Sequence, residues 1–147
     1  MKLLDRHGWT TSDLVPVPIE ALGDGVAVLL PNTTHAADLL PLQDRLQLVA
    51  IDFPKFSDGR GFSIARALRA QGYEGRLRAT GALIPDQFAF ALQVGFDEIE
   101  ITDEQAARQP LGQWLQALTA IHDSYQNGED GNASILTRRR YAAEAAA

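Results

Sequence analysis

A short glycine-rich segment carries the clearest candidate for ligand chemistry in the sequence. It reads FSDGRGFS and runs from Phe56 to Ser63. Its glycines allow a close backbone approach to a ligand, and the guanidinium of Arg60 can bind sulfate, phosphate or carboxylate through two parallel hydrogen bonds. Lys55 would add positive charge, and Ser63 is predicted to cap a helix whose first N–H groups are free to bind an anion.

The same segment can also be interpreted as a tight turn. In that case Asp58 caps the backbone around Gly59, and Arg60 pairs with Asp58 or Asp52 instead of a ligand. The segment is not a phosphate-binding P-loop, because no Lys-Ser or Lys-Thr pair follows at the required spacing. The sequence leaves the ligand-binding loop and the structural turn open as alternatives.

Three positions after a later apolar run could contribute to the same site. Gly81 would let a ligand approach the end of that run. Asp86 and Gln87 fall in the first turn of a predicted helix, where Asp is also an ordinary partner of the helix dipole. They are therefore either ligand-binding residues or residues that only begin a helix.

Arg78 is an arginine inside an apolar run, between Leu77 and Ala79. A buried guanidinium needs partners, since an isolated buried charge is costly. It is expected either to form a structural ion pair with Asp52 or Glu100, or to join the DGRG segment in binding an anion.

The composition excludes several classes of chemistry. The 147 residues include no cysteine, so disulfides, thiolate nucleophiles and cysteine-ligated clusters are excluded. The three histidines are scattered, so no metal site is predicted, and no cofactor motif is found. A net charge of −6 disfavours nucleic acid or an anionic membrane as partner. No apolar run is long enough to span a membrane and charge interrupts the N-terminus early, so a soluble, cytoplasmic protein is expected.

Residues 55–78 form a basic island in this acidic chain, with six lysines and arginines against two acidic residues. Such an island could attract a small anion through its local field. Within it, Arg66 and Arg69 are predicted to lie on the exposed side of a helix. They either face water or dock on the acidic surface of a partner protein.

The segments that must position these residues alternate between strands and helices. Strands are predicted over residues 25–30, 48–51, 77–80 and 96–101, the last nearer an edge of the sheet. Helices are predicted over residues 36–46, where Pro41 interrupts the pattern, over 64–71, from Pro85, and from Pro110. Residues 1–24 are interpreted as an N-terminal arm with a short strand near Lys2–Asp5, residues 25–126 as the α/β domain, and residues 127–147 as a disordered tail.

This alternation predicts a single α/β domain of about four βα units around a parallel sheet. The sheet could be open and doubly wound, or it could resemble half of an eight-fold barrel. A half-barrel would leave an apolar edge and favour a homo-oligomer. In either arrangement a ligand is expected at the carboxyl ends of the strands, where the candidate residues fall.

The motifs, in this order and spacing, resemble a bacterial family of uncharacterised proteins. The resemblance rests on FSDGRGFS, ARALR at 65–69, LRATG at 77–81, Asp86-Gln87 and GFD at 95–97, and it covers roughly residues 25–126. The genes of that family are typically found beside those for assimilatory sulfite reductase, and its members are commonly labelled probable oxidoreductases involved in sulfite reduction. The resemblance thus implies a role in sulfite reduction. Because the chain has no redox motif, electrons would pass through a bound cofactor or a partner.

Two functions follow from these observations. The first is an accessory protein of assimilatory sulfite reduction, which binds a small oxyanion at the DGRG segment or docks there on sulfite reductase or its electron donor. The alternative is a barrel-like enzyme acting on a small phosphorylated or carboxylated substrate, with Asp86 or Asp52 as base and Arg60 holding the substrate's charge.

Overall fold

Five parallel strands form the centre of the structure, a computed structural model that describes residues 1–127. An antiparallel hairpin extends them on one side to a seven-stranded sheet, in the order β2-β1-β7-β6-β5-β4-β3. The α/β fold predicted from the sequence is therefore confirmed. The strands are β1 (Lys2–Asp5), β2 (Gly8–Thr10), β3 (Val17–Pro18), β4 (Ala27–Leu30), β5 (Leu48–Phe53), β6 (Arg76–Gly81) and β7 (Glu98–Ile101).

The parallel strands β3 to β7 lie side by side in the order in which they follow along the chain. A doubly wound sheet reverses its strand order at a switch point, and no reversal occurs here. Sequential order with right-handed crossovers is the arrangement of a barrel, and it places every connecting helix on the same face. Of the two predicted architectures, the structure has the half-barrel-like one.

The helices differ from the predictions mainly at their starts. The predicted helix over 36–46 is reduced to one 3-10 turn, Ala36–Leu39, just before Pro41, which cannot continue it. The helix predicted from Pro85 begins as a 3-10 turn, Pro85–Gln87. The α-helices are α1 (Arg60–Ala70), α2 (Phe88–Val94), α3 (Asp103–Arg108) and α4 (Leu111–Asn127).

The core lies between the helices and one face of the sheet. Alternate strand residues such as Val49, Ile51 and Leu77 pack there with helix residues, including the fully buried Trp114, whose ring meets Phe88 edge-on at 5.9 Å. Three strand residues of the opposite parity are just as buried but lie outside that cluster. They are Ala27, Leu48 and Ala50. The sheet therefore has a second face without helices, and this face carries the charged side chains of β6 and β7.

Residues 1–24, expected to be an arm, contribute β1, β2 and β3 to the sheet. Strand β1 pairs with β7, so β7 lies inside the sheet and not near an edge as predicted. The actual edges are β2 and β3, of three and two residues, which offer little backbone for pairing with another chain. The predicted homo-oligomer stays a prediction.

The connection between its two edges shows that the sheet is not flat. Residues 11–16 join the end of β2 to the start of β3, and this stretch of chain reaches at most about 25 Å. Six strand spacings across a flat sheet amount to about 29 Å. The sheet must therefore twist or bend enough to bring its edges closer together than in a flat sheet.

No helix within residues 1–127 is long and apolar enough to cross a membrane. Of the tail predicted over 127–147, all but the last residue of α4 lies outside the described residues.

Candidate functional site

The DGRG segment, residues 58–61, follows β5 at the carboxyl end of the sheet, where the sequence places it. Its two charged residues bind each other. The Arg60 guanidinium donates from Nε to Asp58 Oδ1 at 3.0 Å and from Nη2 to Asp58 Oδ2 at 2.6 Å. Asn32, which is buried at the end of β4, donates to the same carboxylate at 2.9 Å. The contacts expected of the structural turn are therefore formed, and ligand binding at this segment stays a prediction.

The electrostatics of the segment agree with this geometry. Hydrogen bonds from the Arg60 side chain and backbone lower the pKa of Asp58 to about 2. The Arg60 side chain is 59% exposed, so solvent screens the pair strongly. The Asp58 carboxylate already accepts from two of the three nitrogens of the Arg60 guanidinium, so an oxyanion at Arg60 would bind beside this carboxylate and compete with it.

Helix α1 starts at Arg60, three residues before the predicted cap. Gly59 is the residue at its N-cap, without a side-chain cap, and Ser63 lies exposed in the first turn. Gly61 is required by packing, since a Cβ there would lie 2.5 Å from the Phe53 ring. The close contact between helix and strand therefore fixes the start of α1, and Ser63 has no capping role.

Of the predicted residues after β6, Gly81 and Gln87 determine the geometry of the loops. Gln87 accepts a hydrogen bond from Ile84 N at 3.1 Å and donates to Phe56 O at 2.6 Å, which ties the loop after β5 to the turn before α2. Gly81 has a φ of +114°, a conformation that side chains disfavour, and a Cβ there would meet Phe53 O at 2.5 Å. Asp86 and Lys55 are exposed at the same end of the sheet.

The two arginines of α1 have different surroundings. Arg66 is exposed, as predicted. Arg69 points inward: its guanidinium donates to the carbonyls of Tyr73, Gly75 and Gly95 and to Asp97. Arg69 is therefore a structural residue, and the expectation that it lies on the exposed side of the helix is wrong.

Arg78 lies on the face of the sheet that carries no helices. It is almost completely buried and donates from Nε to Glu98 Oε2 at 2.8 Å. The other oxygen of Glu98 accepts from Arg76 Nε at 2.5 Å, and Arg78 Nη1 lies 3.8 Å from Glu100 Oε2. The Nη2 atom of Arg78 is buried and has no hydrogen-bond partner within the described residues. The predicted ion pair to Glu100 is thus the longer contact, and Glu98 is the main partner.

A row of polar side chains crosses this face just above Arg78. The strand register places Asp52, Thr80 and Glu100 beside one another on β5, β6 and β7, near the carboxyl ends of those strands. Thr80 Oγ1 donates to Glu100 Oε1 at 3.1 Å. Among residues 1–119, whose side chains the structure describes, none forms a hydrogen bond or an ion pair with the Asp52 carboxylate. We call the six residues Asp52, Arg76, Arg78, Thr80, Glu98 and Glu100 the polar face.

Sequence reasoning missed Glu98 and Asn32. The run Glu98–Ile101 alternates charged and apolar residues, so Glu98 and Glu100 share a side of β7. Arg76, Arg78 and Thr80 alternate in the same way on β6. These two patterns together were the available signal for a charged sheet face. Nothing in the local sequence connects Asn32 with Asp58.

No group of three or more His, Cys, Asp or Glu in the described part of the chain is arranged to hold a metal ion.

Comparison with known proteins identifies a family. A model of the bacterial protein family of unknown function DUF934 matches residues 27–136, which include all the candidate residues. No curated protein and no solved structure matches the chain. The chain therefore belongs to the DUF934 family.

Proposed function

We propose that this member of the DUF934 family is an accessory protein of assimilatory sulfite reduction, which docks on the reductase or on the protein that supplies its electrons. The assignment to sulfite reduction rests on the neighbourhood of the family's genes. Docking, as opposed to binding of a small anion, rests on the surface around the DGRG segment.

The observation that carries the docking proposal is a pair of exposed phenylalanines next to exposed cations. Phe56 and Phe90 are 55% and 41% exposed. The Phe90 ring packs edge-on against Phe62 of α1 at 4.9 Å, and Gln87 holds the backbone at Phe56. Phe90 is thus a ring that is held in place while exposed to water, and such rings are typical centres of protein interfaces. We call Lys55, Phe56, Arg60, Arg66 and Phe90 the docking patch.

Positive charge gives the patch a preference for an acidic partner. Lys55, Arg60 and Arg66 are all exposed, although the whole chain carries a net charge of −6. Arg66 follows Phe62 by one helical turn, on the side of α1 that faces α2 and Phe90. Arginine beside aromatic rings is enriched in interfaces, and such charges steer association in a salt-dependent way. Arg69 takes no part, because its guanidinium is bound internally.

The oxyanion site has less support than docking. Arg60 is paired with Asp58 in the free protein, so a small anion at its remaining N–H groups would be repelled by that neighbouring carboxylate. A protein surface can instead contact the exposed side of Arg60 without breaking the pair.

Co-purification with sulfite reductase tests the proposal. The variants Phe56→Ser, Phe90→Ser and Arg66→Glu remove one anchor each, and each should reduce recovery of the reductase or its electron donor by about tenfold or more. Recovery with the unmodified chain should fall as salt is raised. Val15→Ser, at an apolar residue that is 76% exposed, is the matched control and should bind normally. Full recovery with all three patch variants would exclude docking through this surface.

A barrel-like enzyme is the second candidate, and the position of Asp52 favours it. Asp52 lies at the carboxyl end of a parallel strand in a sheet with barrel-like strand order, where barrel enzymes place catalytic groups. Asp86 is exposed on a surface turn, which leaves Asp52 as the better base. Turnover of a phosphorylated or carboxylated substrate that is lost in Asp52→Asn and kept in Asp86→Asn would support this candidate.

A further inference from the structure

We propose that the polar face binds a small zwitterion of the α-amino-acid class, with its carboxylate on Arg78 and its ammonium group on Asp52 and Glu100. The site is on the opposite side of the sheet from the helices that contribute to the docking patch. A test of ligand binding there therefore gives a result that does not depend on whether docking occurs.

The first observation is the unsatisfied guanidinium of Arg78. Its side chain is only 3% exposed, yet Nη2 has no hydrogen-bond partner in the described residues. The charge of Arg78 is paired with Glu98, but a buried N–H group without an acceptor is still costly, and such groups are usually satisfied by water or by a ligand. Nη1 of the same planar group lies 3.8 Å from Glu100, so the guanidinium reaches up to the row formed by Asp52, Thr80 and Glu100.

The second observation is that this row offers acceptors at both of its ends. Glu100 Oε1 accepts from Thr80, while Oε2 has only the long contact to Arg78. The Asp52 carboxylate has no hydrogen-bond or ion-pair partner among the side chains of residues 1–119. Asp52 and Glu100 lie two strands apart, about 10 Å between Cα atoms, with the short side chain of Thr80 between them. A ligand of a few non-hydrogen atoms that carries N–H donors fits this spacing.

The charge balance selects a zwitterion over an anion. The two oxygens of Glu98 are taken by Arg76 and Arg78. After Glu98 is counted, one positive charge of the two arginines remains. The carboxylates of Asp52 and Glu100 carry two negative charges, so the polar face is net negative. A dianion such as sulfate or phosphate would be repelled by these carboxylates. A molecule with an ammonium group at one end and a carboxylate at the other satisfies both the carboxylates and the buried Nη2.

One small residue, itself fully buried, lies next to Arg78 on the neighbouring strand. Ala50 is the register partner of Arg78 on β5, and it also lies two residues before Asp52 on the same face. No large side chain of β5 therefore stands between Asp52 and the guanidinium.

Calorimetric titration with matched probes tests the site. The purified chain is first screened with each common L-amino acid by thermal denaturation, and those that raise Tm are titrated. For alanine, the matched probes are propionate, which lacks the ammonium group, and ethylamine, which lacks the carboxylate. At least one amino acid should bind, while the corresponding single-ended probes should bind at least about tenfold more weakly.

Variants connect binding to the proposed residues. Asp52→Asn and Glu100→Gln should each weaken binding by about ten- to a hundredfold, the effect of losing a charged hydrogen bond. Asp86→Asn makes the same chemical change at an exposed position and should bind normally. These variants are preferable to changes at Arg78, whose loss would leave Glu98 buried with a weaker partner. If a folded sample binds no amino acid, binds sulfate or phosphate more tightly, or is unaffected by Asp52→Asn, the proposal is wrong.

Discussion

The guanidinium of Arg69 lies 2.9 Å from the carboxylate of Asp97, and this contact joins the end of α1 to the turn that enters β7. The same Asp97 oxygen accepts from Leu77 N at 2.9 Å, while Arg69 also binds the Gly95 carbonyl. The contact therefore fastens three segments at the amino ends of β6 and β7. In barrel-like folds that end of the sheet serves stability, while the opposite end carries function.

Replacing Arg69 with methionine is expected to destabilise the protein by about 3 kcal/mol. The change removes the donor to three backbone carbonyls and the charged partner of the largely buried Asp97 carboxylate, which keeps its hydrogen bond from Leu77 N. Urea denaturation followed by circular dichroism measures the loss. Arg66→Met is the control on the same helix and should stay within about 0.5 kcal/mol of the parent chain, since Arg66 is exposed. Equal stability of the two variants would contradict the structural role of Arg69.

Glu98 is expected to be far more sensitive to substitution than Arg76, although the two share a hydrogen bond. In Glu98→Gln the amide places N–H groups against an arginine donor and removes the main counter-charge of buried Arg78, at a cost of about 3 to 5 kcal/mol. Arg76→Gln leaves the Glu98–Arg78 pair intact, and the Arg76 side chain is 50% exposed, so it should cost about 1 kcal/mol or less. Chemical denaturation of both variants compares them directly. Comparable losses would mean that Arg78 does not depend on Glu98.

Gly61 is expected to tolerate no side chain. Gly61→Ala places a methyl group against the Phe53 ring and should cost about 1 to 3 kcal/mol through overpacking. The neighbouring Gly59→Ala is the matched control, because its nearest atom would be Phe62 Cδ2 at 3.9 Å, an ordinary contact. In the Gly61→Ala background, Phe53→Leu should recover part of the loss by making room. Thermal denaturation of the parent chain, Gly61→Ala, Phe53→Leu and the double variant measures the coupling, and Gly59→Ala is measured beside them as the control. Absence of coupling between positions 53 and 61 would place the strain elsewhere.

The sequence was sufficient to predict the parallel strands and the fold class. A run such as Leu48–Phe53 has few conformations open to it other than a strand buried on both faces, and the glycines and prolines around it limit its length. The hairpin of β1 and β2 was harder to predict, because its strands have only four and three residues and gain their stability by pairing with β7. The short β3 ends at Pro18, a residue that an edge strand accepts but a central one does not.

The candidate site was predictable only in part, because local sequence does not determine which side chains the tertiary structure brings together. Local sequence places the DGRG segment at a strand end, but whether Arg60 binds a ligand or Asp58 depends on the turn itself. Helical periodicity predicts that Arg69 lies on the exposed side of α1, and only the tertiary structure brings the Gly95 carbonyl within its reach. In the same way, the alternation in β6 and β7 shows which residues share a face, while the register decides that Arg78 meets Glu98.

The pH dependence of the Asp58–Arg60 pair provides the last prediction. Because the hydrogen bonds from Arg60 lower the pKa of Asp58 from 3.8 to about 2, the folded state favours the ionised carboxylate. This contribution to stability is complete above the unfolded pKa near 4 and is lost as the pH falls toward 2. In Arg60→Met, carbon-detected NMR titration of the Asp58 carboxyl should find a pKa raised from about 2 toward, but still below, the ordinary value of about 3.9, because the residue-60 backbone N–H and Asn32 still donate to it. The difference in stability between the two chains should be small, because the pair is exposed, and should disappear below about pH 2. An unchanged Asp58 pKa in Arg60→Met would show that Asn32 and the backbone, rather than the guanidinium, hold this carboxylate.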